Sequence, residues 1–234
     1  MYCRRFAWFA LAVVVFAPAA TDAASVAVSR STSLSASGRT TDDSFELTDS
    51  FGELGSYDNT IGDSIAVPAG GTTRAQVSQQ STVTPLLVGA ATGSAEAQVA
   101  EFDAIAAQAR STFEFVFDVI DHAETLTLGG SVESSFDAEA RVRLTRAGGE
   151  DPIFERLVAF GNQDDLTFDE TISVEPGRYT LFAEAVVTGT PAPNSADFDV
   201  SFDLTNPIPL PPALWAGSVG LVVAWMYARH MGRR

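Results

Sequence analysis

The sequence predicts an all-β protein: an antiparallel two-sheet sandwich, jelly-roll-like, with an N-terminal signal helix and a C-terminal transmembrane helix. Three observations predict it. Apolar and polar residues alternate with period two through most of residues 72–205. Glycine-rich turns interrupt the pattern at the spacing of an all-β sandwich, roughly every 8–12 residues. Charge-free apolar stretches stand at the two ends, Phe6 to Phe16 and Ala213 to Ala228.

The N-terminus reads as an export signal. Arg4 and Arg5 precede the Phe6–Phe16 run, and the small residues Ala17, Ala19, Ala20, Ala23 and Ala24 follow it. Thr21-Asp22-Ala23 places small residues at −3 and −1, so cleavage is expected after Ala23, with Ala19 as the alternative. An 11-residue apolar run is too short to span a bilayer. Cys3, the single cysteine, precedes the apolar run, where no lipoprotein signal could use it.

Residues 24–71 form a Ser/Thr/Gly-rich N-terminal segment. Val26 and Val28 alternate with small polar residues and suggest one edge strand. Phe45 to Gly71 is dense in turn residues (Gly52, Gly55, Asp58-Asn59, Gly62, Pro68) and is expected to be a loop with short strands.

The sandwich domain is expected over residues 72–205. Ala75 and Val77 start the alternation. Ala95 to Arg110 fits a strand or a helix, and its strand neighbours favour strand. Phe113, Phe115, Phe117 and Val119 then share a face opposite Glu114 and Asp118, and a break is expected at Gly129-Gly130. Ala138, Ala140, Val142 and Leu144 alternate with Glu139, Arg141 and Arg143. Ile153 to Ala159, the turn Gly161–Asp165, then Leu166, Phe168, Ile172 and Val174 continue the pattern. Pro176-Gly177 suits a type II turn into Tyr179, Leu181 and Ala183, and Phe198, Val200, Phe202 and Leu204 end the domain. Nine or ten strands are expected, about a core of Phe113, Phe115, Phe117, Phe168, Phe198 and Phe202. The Thr167–Ala185 segment, with Val174-Glu175-Pro176-Gly177-Arg178-Tyr179 at its turn, loosely resembles the closing hairpin of secreted jelly-roll-like modules. Those include pre-peptidase C-terminal and carbohydrate-binding domains.

Residues 206–234 have three parts: a proline strip, an apolar helix and the basic end Arg229-His230-Met231-Gly232-Arg233-Arg234. A helix over 212–228 would rise ~25 Å against ~30 Å of hydrocarbon, short for a permanent anchor. Ile208-Pro209-Leu210-Pro211-Pro212, the apolar stretch and the basic stop of Arg229, Arg233 and Arg234 resemble the PEP-CTERM/VPLPA-CTERM sorting signal. Ile208 stands for the family's valine and Pro212 for its alanine. The resemblance implies an exosortase-type membrane protease as partner, transient anchoring in the inner membrane with the basic end cytoplasmic, and then release to the cell surface or matrix. An ordinary single-pass tail anchor is the alternative.

Composition prunes the remaining functions. Between the end segments lie 29 acids and nine arginines, a net charge of about −20, which disfavours nucleic acid. No cysteine follows Cys3, and His122 is the only histidine outside the tail, so thiol chemistry and histidine-rich metal sites are excluded. Acid pairs (Asp42-Asp43, Asp164-Asp165, Asp169-Glu170, Asp118 with Asp121) occur without a catalytic signature, and no enzyme is expected. No cofactor is expected either, although Asn162, Asp164 and Asp165 offer oxygens to calcium in what is otherwise an ordinary turn. The expected function is a non-catalytic, exopolysaccharide-associated surface or matrix protein, the alternative a carbohydrate-binding module with calcium as its candidate ion. The body lacks tryptophan and has only Tyr57 and Tyr179, which counts against recognition by ring stacking.

Overall fold

A computed structural model describes residues 25–68, 70–101, 104–149 and 151–205. The expected signal helix with its Ala23 cleavage point, the transmembrane helix, Ile208–Pro212 and the arginines Arg229, Arg233 and Arg234 lie outside the described residues. The described residues form twelve strands: β1 (Ser25–Thr40), β2 (Ser44–Phe51), β3 (Gly55–Ala66), β4 (Thr72–Val83), β5 (Val88–Gln98), β6 (Ala104–Val119), β7 (Glu124–Ser134), β8 (Ala138–Arg146), β9 (Phe154–Val158), β10 (Asp164–Val174), β11 (Gly177–Thr188) and β12 (Asn194–Thr205).

They build two six-stranded antiparallel sheets, β2-β1-β6-β11-β8-β9 and β10-β7-β12-β5-β4-β3. These are called the first and second sheet below. The sandwich follows from the period-two pattern, because each strand then buries one face against the opposite sheet. Phe113, Phe115 and Phe117 of β6 project from the first sheet and are at most 2% exposed. Phe115 stacks on Phe202 of the second sheet with ring centroids 5.0 Å apart. The strand reading of the alanine-rich stretch holds for its two ends, which belong to two strands, β5 up to Gln98 and β6 from Ala104, with Ala95, Ala97, Ala107 and Ala109 buried and 99–101 in neither.

Three expectations are corrected, the first being the count, twelve strands in place of nine or ten. Phe45 to Gly71 is not a loop: β2 and β3 are regular strands at facing edges of the two sheets. Their inward residues, including Asp49, Tyr57 and Asn59, are only half-buried, so no strong apolar alternation marks them. An edge strand is paired on one side, so glycine and asparagine cost it little. Gly129-Gly130 is not a break either, because β7 runs through it and pairs on both sides.

The reason is a recurring pair of glycine and phenylalanine directly across from each other. Phe45 faces Gly38, Phe168 faces Gly130, and Phe198 and Phe202 face Gly93 and Gly89. A Cβ on Gly93 would lie 2.3 Å from the Phe198 ring, and one on Gly89 2.5 Å from the Phe202 ring. Each ring occupies the space that its partner's side chain would fill.

At the β10–β11 turn Gly177 has φ +155°, which side chains rarely adopt. The Tyr179 hydroxyl donates to the Glu175 carbonyl at 2.6 Å, tying the turn to the core. The body's first and last strands start and finish at one end of the sandwich, since Ser25 pairs with Val119 and Thr205 with Thr125.

Candidate functional site

The two outer faces differ in how they treat charge. On the first sheet, Glu184 and Asp118 have cationic partners. Glu184 is 3% exposed, accepts from Arg141 at 2.6 Å, and lies 2.5 Å from Arg110. Arg178 grips Asp118 through both carboxylate oxygens, each at 2.8 Å, and holds that carboxyl below the usual carboxylate range. Asp118 is therefore spent on a structural ion pair.

The second sheet's outer face is built otherwise. Alternation puts Asp165 and Asp169 of β10, Glu133 of β7, Asp197, Asp199 and Asp203 of β12, Glu96 of β5 and Asp58 of β3 on it, with Arg74 as its single cation among the described residues. The remaining positions are mostly serine, threonine and glutamine, and none of the described ones is aromatic. Register sharpens this arrangement. Asp165 lies opposite Glu133, Glu133 opposite Asp197, Asp197 opposite Ser94, and Ser94 opposite Ser78. Three carboxylates thus stand side by side on adjacent strands, an arrangement that costs stability when nothing neutralises it.

A groove of about 240 Å³ crosses this row. Glu133, Asp197, Asp199 and Ser131 of β7 and β12 line one part, Ser78, Thr92 and Ser94 of β4 and β5 the other, with Gly93 and Phe198 at its floor. The Ser78 and Ser94 hydroxyls share a 2.7 Å hydrogen bond. Burial, with like charge from Glu133 and Glu96 added, pushes the Asp197 carboxyl up to about 6. Chemically the groove offers carboxylate acceptors beside hydroxyls that both donate and accept.

The calcium turn is divided by the fold. Asp164 and Asp165 belong to opposite faces of β10, and the Asp164 carboxylate accepts from the Asp165 amide at 2.9 Å. Asn162 stays exposed in the turn, while Asp165 joins the carboxylate row. Among the other acids singled out, Asp43 caps the Ser44 amide at 2.8 Å, and Asp169 and Glu170 diverge, Glu170 pairing with Arg156 at 2.7 Å. His122 is exposed between β6 and β7. A second polar cluster lies between the sheets near β2 and β3. There Asp49 accepts from Tyr57 and Asn59, each at 2.6 Å, and burial with this bond pushes the Tyr57 phenol up to about 12.

The sequence marked Asp197 and Asp199 as outward-facing but did not place Glu133, Ser94 or Ser78 beside them. Local alternation identifies a face, whereas the row needs the register of five strands.

No family model and no curated protein match the chain. Among solved structures, it is similar to the enzymatically active domain of tailspike protein 4 of bacteriophage CBA120, at 16% identity and TM-score 0.28, over 55% of this chain and 19% of that one. It is also similar to a family 61 carbohydrate-binding module solved with β-1,4-galactotriose, at 18% identity and TM-score 0.26, over 49% of this chain and 70% of the module. A third is a family 6 module of Cellvibrio mixtus lichenase 5A solved with cellotriose, at 10% identity and TM-score 0.23, over 64% and 91%. Superpositions this loose assign no ligand or residue to this chain.

Proposed function

We propose that the sandwich is a non-catalytic carbohydrate-binding module, displayed at the cell surface or in the matrix, with the outer face of the second sheet as its contact surface. The observation that carries this reading is the unneutralised row Asp165–Glu133–Asp197 running into Ser94 and Ser78 across an open groove. Carboxylates and hydroxyls at this spacing suit the hydroxyl edges of sugars. With no aromatic ring among the described residues of this face, recognition rests on hydrogen bonds. Its excess of carboxylates favours neutral or amine-bearing polysaccharides and repels uronic acids.

Asp197→Asn makes the test two-sided. A carboxyl raised in the folded state stabilises at acid pH, and that contribution is lost as pH rises through the unfolded value and then through about 6. At pH 7 the variant should therefore be more stable than the natural chain, by about 1 kcal/mol once solvent screening is allowed for. It should also bind polysaccharide at least about tenfold more weakly, a loss of about 1.4 kcal/mol. Calorimetry against neutral, amine-bearing and uronic polymers, with and without calcium, reads affinity, and thermal unfolding reads stability. The reading fails if no polymer binds, or if Asp197→Asn and Glu133→Gln leave affinity unchanged. Because Asp197 with a raised pKa beside Glu133 is also the pattern of an acid–base pair, reducing ends should be assayed in the same samples. Their release by the natural chain and not by Asp197→Asn would replace binding with cleavage.

Delivery belongs to the same proposal. The Ile208–Pro212 motif, apolar stretch and basic stop support sorting by an exosortase-type protease. The exported chain should then end between residues 208 and 213 by intact mass, and a chain retaining Arg234 contradicts processing.

A further inference from the structure

We infer that Glu124 is a binding site for a primary ammonium, namely the α-amino group that removal of the signal peptide after Ala23 creates on Ala24. The inference rests on that reading of the N-terminus. Glu124 opens β7 on its inward face, in phase with Leu126 and Leu128, and is 2% exposed. Its Oε2 accepts from the Ser25 hydroxyl of β1, across the two sheets. Its Oε1 is buried and has no hydrogen-bond partner among the described residues, and none of the described ion pairs reaches it. A carboxylate this deeply buried without a cation is costly.

The first strand explains what meets it. Ser25 pairs with Val119 and Ala27 with Phe117, and both point inward, because a bulge at Val28 keeps the strand's start in phase with Arg30 and Thr32. Ala24 precedes Ser25 by one peptide unit, about 3.8 Å between Cα atoms. A new amine there lies within reach of a carboxylate that already touches Ser25. Before cleavage the same nitrogen is a neutral amide. Cleavage after Ala19 would leave the ammonium on Ala20, up to about 14 Å farther along an extended chain. Glu124 therefore distinguishes the chain cut after Ala23 from both the uncut chain and the one cut after Ala19.

The pair has a clean readout, because all 14 basic side chains are arginine and the α-amine is the chain's one primary amine. The buried carboxylate should raise the amine's pKa above its ordinary value of about 7.7–8.0. Its stabilisation is then complete below about pH 7.7 and is lost as pH rises through the raised value. The exported chain is purified, its start read by intact mass, and its amine methylated reductively between pH 6 and 10. The folded chain should show a labelling midpoint at least one pH unit above that of the same chain in urea, about a tenfold change in free amine. Glu124→Gln should remove the difference. The urea comparison stands even if that variant does not fold. A chain starting at Ala24 whose folded and unfolded midpoints coincide overturns the inference alone. A chain starting elsewhere overturns the cleavage reading and the inference together.

Discussion

Gly130→Ala should abolish folding or reduce stability by about 3–5 kcal/mol, a large part of the 5–15 kcal/mol typical of a domain. Gly130 has φ +152°, and a Cβ there would lie 2.0 Å from the Asp199 carbonyl oxygen and 3.0 Å from the Phe168 ring. The nearer contact is backbone of β12, which is held by β5 on one side and β7 on the other, so it has nowhere to retreat. Neighbouring Gly129 faces outward, where a Cβ would meet the Ser201 hydroxyl at 3.2 Å. Gly129→Ala should therefore cost about 1 kcal/mol or less, because a hydroxyl can rotate away. Urea unfolding of both variants checks the contrast, and a Gly130→Ala chain within about 1 kcal/mol of the natural one would remove the pairing argument.

Phe115→Ala should cost about 3–5 kcal/mol through lost burial and the cavity left behind. Phe115 is 1% exposed and joins the sheets, stacking on Phe202 at 5.0 Å and on Phe117 at 5.6 Å between centroids. No other described ring can fill its place, since Phe113 reaches Phe202 at 6.4 Å and Phe117 leans on Tyr179 at 5.4 Å. Phe182, on the outer face of the same sheet, is half-buried beneath Arg141, 5.4 Å away. Its truncation should cost about 1 kcal/mol. Equal losses at Phe115 and Phe182 would mean that the core is not where alternation puts it.

Alternation made the central strands legible. In β6, β8 and β12 large apolar residues fill one face and charged residues the other, so period two names both the strand and its buried side. It failed for β2 and β3, whose inward faces carry Asp49, Tyr57 and Asn59 and whose turn-forming residues are simply edge residues. It failed at Gly129-Gly130 because the groups that make Gly130 necessary, the Asp199 carbonyl of β12 and the Phe168 ring of β10, come from strands distant in the chain. The candidate site was half legible. Asp165, Asp197 and Asp199 stood out as turn or outward acids, but only antiparallel register brings Glu133 between Asp165 and Asp197.

That row is where stability has been given up. The first sheet pairs Glu184 and Asp118 with Arg110, Arg141 and Arg178, while none of the described ion pairs reaches the three carboxylates in line on the second. Selection for stability alone would place a basic side chain there. The most direct test follows the side-chain carboxyl resonances of Asp165, Glu133 and Asp197 by NMR during titration with a neutral or amine-bearing oligosaccharide, with Glu184 and Asp118 as internal references. The account predicts saturable shifts of the three row resonances and none at the references. Shifts centred on Glu184 and Asp118, or no shifts anywhere, would contradict it.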